Sequence, residues 1–218
     1  MSSESDPSAP VELKAHLRVE RPARDDGYRP ISDPLWVWAS ILAFPGSVES
    51  RLVLTAARRL DVGHRQIERA RDRITALPQS ENPASRQEVH EIVGDVEMGI
   101  WSIDKAIEIA LSLSGRYRVE VPVPGIVTEK QPLVARLRDH YAHIDERALG
   151  KVKGKPDVTA ADAFEFAAIL RDRTLTDEHD TLGIDDEITE LCIATRDYLV
   201  KTWQELVSRA HKAVSASS

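Results

Sequence analysis

Cysteine is almost missing from this chain. Cys192 stands alone among 218 residues, which excludes an internal disulfide and any zinc site built on cysteines. Aromatic residues supply only 5 %, so the core has to be aliphatic, and the length is enough to bury one within a single domain. No apolar run approaches the ~20 residues of a membrane span. The stretch "LWVWASILAF" begins only at Leu35, and the opening "MSSESDPSAP" lacks the basic region of a signal peptide. A soluble, cytoplasmic protein without membrane contact is expected, with Cys192 packed as a small hydrophobe. Phosphate loops, metalloprotease helices and glycine-rich nucleotide fingerprints are also missing, so neither a cofactor nor a metal is expected.

The chain carries a formal charge of −7, which argues against a protein that coats nucleic acid generally. The distribution is uneven. Arg51 to Arg73 holds seven arginines against three acids, and Glu129 to Lys155 holds seven bases against four acids. Asp177 to Glu190 holds seven acids and no Lys or Arg. Two segments can therefore present positive surface, although solvated helix faces account for the same counts.

Residues 1–10 read as a disordered N-terminus and 11–46 as an N-terminal extension of undecided structure. A helical domain is expected over 47–213, with a frayed tail at 214–218. Ser47 is placed to cap a helix that runs to about Leu77 and stops at Pro78. Val53, Leu60, Ile67 and Ile74 recur every seven residues beside a companion row of Ala56, Gly63, Ala70 and Leu77. The small residues in that row predict a closely approaching neighbour. Ser85 and Glu88 form a capping-box pattern before Val89, Val93, Val96, Ile100, Ile103, Ile107 and Ala110, a second long helix ending at Gly115. A short polar linker between the two predicts an antiparallel hairpin. Pro122 and Pro124 make the next stretch extended, and a third helix is expected from about Pro132 to Leu149. "AADAFEFAAILRD" reads as helix and "RTLTDEHDTLGI" as a possible hairpin. A last helix opens on Asp185, Asp186 and Glu187, acids suited to its N-terminal dipole. The fold class is all-α, four-helix-bundle-like, with small extended or hairpin elements in the connections.

Chemistry concentrates in "RLRDHYAHIDERALGK", Arg136 to Lys151. At ~100° per residue from Arg138, the residues Leu133, Val134, Leu137, Tyr141, Ile144 and Ala148 fall within one core face. Asp139 and His143 stack as i, i+4 neighbours at about 100° and 140°, pointing away from that stripe. His140 and Arg147 flank them, at about 200° and 180°. An imidazole with a pKa near ~6.5 exchanges protons at neutral pH, and a guanidinium forks onto phosphate oxygens.

The string "RDHYAH", Arg138 to His143, resembles the R-x4–6-H signature of the HEPN superfamily, including the polar residue after the arginine. The wider "LRDHYAHIDER" is similar to uncharacterised bacterial HEPN-like proteins. The resemblance implies a helical bundle, commonly a homodimer, and in many members a metal-independent endoribonuclease. In those enzymes the Arg and His of both protomers line an interface cleft. In many HEPN domains the motif lies in the last long helix, whereas here another follows. Under this resemblance Arg138 and His143 are catalytic, Arg138 on the scissile phosphate and His143 as base or acid. Asp139 and His140 support them, and Arg147, Lys151, Lys153 and Lys155 hold flanking RNA phosphates. RNA is then the substrate, and a toxin-antitoxin or antiphage-defence setting would add an antitoxin or regulatory partner. The alternative is a non-catalytic helical dimerisation or regulatory module.

Overall fold

The computed structural model describes residues 27–35, 47–77, 86–142, 168–176 and 180–216. Four long helices dominate them: α1 (Val48–Ala76), α2 (Arg86–Gly115), α3 (Gly125–Ala142) and α4 (Asp186–Ala216). The fold is all-α and bundle-like. No helix among the described residues is long and apolar enough to cross a membrane.

α1 begins where its sequence provides a cap. The Ser47 hydroxyl accepts the Ser50 N–H at 3.1 Å, satisfying one of the free donors of a first turn. Its heptad row is the buried seam: Val53, Ala56, Leu60, Ile67 and Ala70 have no exposed surface. α2 lies antiparallel against it. Arg59 sits over Trp101 near one end of the contact, and Arg73 pairs with Glu91 and Asp95 near the other. Between them Gly63 and Gly99 face each other, the close approach that the small-residue row predicts.

α3 starts seven residues before the expected Pro132, which lies inside it. The carbonyl of Pro124 accepts the N–H groups of Val127 and Thr128 and so founds the first turn upstream. Pro132 then removes one rung from the helix, without ending it. The part of the expected helix after Ala142 lies outside the described residues. So does most of "AADAFEFAAILRD", of which Ala168–Asp172 forms a π-helical turn.

The expected hairpin forms. β1 (Thr174–Thr176) pairs antiparallel with β2 (Thr181–Gly183), Leu175 opposite Leu182, and both leucines are fully buried. The buried Arg71 of α1 fastens its end, donating to the Ile184 and Asp185 carbonyls and to Thr189 Oγ1. Lys130 of α3 reaches Glu187 of α4 at 2.7 Å, and the same carboxylate accepts the Gly183 N–H.

Part of the N-terminal extension packs on the bundle. Asp61, 3 % exposed, accepts the Tyr28 hydroxyl at 2.6 Å and the Ile31 and Ser32 N–H groups. Those two amides open the helical turn over 32–35, so a carboxylate from α1 caps a helical turn about 30 residues earlier in the chain. Tyr28 also stacks on His64, ring centroids 3.9 Å apart, with Arg196 of α4 on the same ring.

Candidate functional site

The site is built where α3 crosses α2. Val127, Leu133, Val134, Leu137 and Tyr141 are buried and fix the rotation of α3. That rotation sets Arg138 at the edge of the contact, its side chain 19 % exposed. Its guanidinium meets three carboxylates. Nη1 donates to Asp104 Oδ2 at 2.5 Å and to Glu108 Oε1 at 3.2 Å, both on α2. Nε and Nη2 donate to one oxygen of Asp139, at 3.0 and 2.7 Å.

The three acids are not equivalent. The Asp104 side chain has no exposed surface, that of Glu108 is 42 % exposed and that of Asp139 is 66 % exposed. Burial pushes the Asp104 carboxyl above its ordinary range; Arg138 opposes that rise and Glu108 adds to it. Asp104 Oδ1 has no hydrogen-bond partner among the described residues. A buried carboxylate is expensive unless paired and fully hydrogen-bonded, so Arg138 is the principal group that makes this one tolerable. The hydrogen bonds to Asp139 raise the Arg138 pKa further, and the guanidinium stays charged.

Two faces of the guanidinium therefore differ. The Nη1 side is anchored in the α2–α3 contact. The Nε/Nη2 side, the planar edge that matches a carboxylate or phosphate through two parallel hydrogen bonds, points at the exposed Asp139.

Of the residues expected at the site, the structure brings Arg138 and Asp139 together. His140 differs from its expected place beside a ligand: it is 3 % exposed, its ring edge-on to Tyr141 at 5.4 Å. The reason is angular, because His140 lies only about 20° from Leu133 around the helix, and the apolar stripe is wide enough to include it. His143, Arg147, Lys151, Lys153 and Lys155 lie outside the described residues. Sequence reasoning missed Asp104 and Glu108, which form pairs with Arg138 across 34 and 30 residues. The available signal was an acid, Asp104, set among Ile100, Ile103 and Ile107 on a strongly apolar helix.

Among the described residues no group of three or more His, Cys, Asp or Glu is disposed to hold a metal ion. No family model, curated protein or solved structure matches the chain.

Proposed function

We propose that the chain is a HEPN-like, metal-independent endoribonuclease in which Arg138 binds the scissile phosphate and His143 transfers the proton. The observation that carries this reading is the anchoring of Arg138. A long surface arginine ordinarily samples many rotamers and loses them on binding. Here the buried Asp104 holds one end of the guanidinium, so the phosphate-matching edge is fixed before substrate arrives. An arriving phosphate displaces Asp139 from that edge, exchanging one anion for another at an exposed position.

The chemistry is transesterification within RNA. The 2′-OH loses its proton to a base, and its oxygen attacks the adjacent phosphorus. Arg138 stabilises the charge on the phosphorane oxygens, and the leaving 5′-oxygen takes a proton. The products are a 2′,3′-cyclic phosphate and a 5′-OH. In the homodimer that the resemblance implies, the Arg and His of both protomers share one cleft.

The purified protein, incubated with mixed RNA in EDTA, tests this. Cleavage is expected for the parent and absent from Arg138→Ala and His143→Ala. Cleavage that persists in both variants, or that requires a divalent metal, removes the proposal.

One observation favours a second reading, a non-catalytic dimerisation or regulatory module. Three carboxylates already surround Arg138 and more than neutralise it. Under that reading Arg138→Ala lowers stability and changes no activity toward RNA.

A further inference from the structure

We infer that the outward face of α1 is a second RNA-contacting surface, a ridge of arginines that holds backbone phosphates away from the reacting bond. The inference rests on RNA being the substrate. Arg51, Arg58 and Arg65 are exposed and recur every seven residues. Successive members are therefore ~10 Å apart along the axis and drift by only ~20° around it. They form one row about 21 Å long, on the side of α1 opposite the seam of Leu60 and Ile67. Arg69, whose side chain is 47 % exposed, continues the row.

Many of the described arginines pair with a carboxylate, Arg69 of this row with Asp95 and Arg71, Arg73 and Arg138 elsewhere, as expected in a chain with 36 acids against 29 Lys and Arg. Arg51, Arg58 and Arg65 have no carboxylate partner among the described residues. Two of the nearby acids are turned elsewhere: Asp61 inward to Tyr28 and the 32–35 turn, and Glu68 toward His64. Asp72, exposed and seven residues after Arg65, closes the row, so its positive stretch runs from Arg51 to Arg69.

Fixed cations in a line suit a linear polyanion, because each neutralised phosphate releases condensed counterions. Next to Arg58, the Arg59 guanidinium lies over the half-buried Trp101 ring at 4.6 Å. Arg59 covers that ring face, so the contact holds a further guanidinium in place beside the row.

The test measures binding of a short labelled single-stranded RNA between about 50 and 200 mM salt. The His143→Ala chain keeps the RNA intact and serves as the parent. The ridge variant adds Arg51→Gln, Arg58→Gln and Arg65→Gln, which hardly change helix propensity; thermal melts confirm folding. A control adds Arg116→Gln, Arg118→Gln and Arg171→Gln, exposed arginines outside the row. Losing three phosphate contacts should flatten the slope of log K against log salt by about 2 in the ridge variant and leave the control unchanged. Equal slopes in all three proteins, or equal losses in ridge variant and control, overturn the ridge. Poly-glutamate binding with the same ridge dependence assigns the face to an acidic protein instead and overturns the RNA assignment. A ridge-dependent slope in a protein that cuts no RNA with His143 intact sustains the ridge and removes the nuclease reading.

Discussion

The crossing of α1 and α2 offers the sharpest test of the fold. A Cβ added at Gly63 would stand 2.7 Å from Ile103 Cγ1, 2.9 Å from the Gly99 carbonyl oxygen and 3.0 Å from the Ile103 amide nitrogen. Two of these three neighbours are backbone, so the strain is relieved only by moving the helices apart. Overpacking of this kind costs about 1–3 kcal/mol, and more when backbone must shift. Gly63→Ala also gains helix propensity, about 1 kcal/mol. With the cost at the upper end, the net loss is about 1–2 kcal/mol, or a fall in Tm of about 2–8 °C for a chain of this size. Gly99→Ala differs in kind. Its added Cβ meets the side chain of Ile67 at 2.7 and 2.9 Å, and the Gly63 carbonyl only at 3.3 Å. Ile67→Val in the Gly99→Ala background should recover part of the loss, whereas no side-chain truncation rescues Gly63→Ala fully. Thermal and urea melts of the four proteins decide it. A Gly63→Ala protein as stable as the parent would mean that the helices do not approach as described.

Three further outcomes are expected. The Asp104 carboxyl has a raised folded pKa, so the folded chain keeps a proton that the unfolded chain releases. Stability therefore falls as pH rises from the ordinary 3.8 through the folded value. Asp104→Asn should abolish that slope in urea midpoints measured against pH, and an unchanged slope refutes the assignment. Glu187 is shifted the other way, by its hydrogen bonds to Lys130 and then the Gly183 N–H. Its contribution is present above the ordinary 4.5 and lost as pH falls through the folded value. With that side chain 43 % exposed, Glu187→Gln should cost under about 1 kcal/mol at neutral pH and nothing in acid. Asp61→Ala leaves the Tyr28 hydroxyl and the Ile31 and Ser32 amides without their acceptor, at about 1–3 kcal/mol per buried group. Hydrogen exchange should then show Ile31 and Ser32 unprotected while α2 amides stay slow; retained protection would contradict the capping role.

How legible this molecule was depended on whether the relevant pattern is local. The Ser47 cap, the seven-residue row from Val53 to Ile74 and the small residues facing α2 are all local signals, and each predicted what stands in the structure. The start of α3 was misplaced because Pro132 suits a first helical turn but is also tolerated inside a helix whose first turn is founded on Pro124. His140 was read as flanking Asp139 and His143, and it is buried because the apolar stripe is wider than its six core residues define. Arg138 was found from its motif, yet the feature that gives it a fixed orientation was not. Asp104 is distant in sequence and unremarkable in type, and only packing of α3 on α2 brings the two together. The same holds for Asp61 and Tyr28, whose pairing joins the N-terminal extension to the bundle.

Under the proposed function Arg138 is a pre-positioned phosphate ligand, and cleavage of end-labelled RNA by Arg138→Lys in EDTA, beside the parent, tests that role. Lysine keeps the charge and loses the planar fork. The rate should fall by about 10²–10³-fold, the size typical of losing one donor to a transition-state oxyanion, with 2′,3′-cyclic phosphate ends in the parent's products. Parental rates in Arg138→Lys, or parent products bearing other ends, would rule out Arg138 as the phosphate ligand.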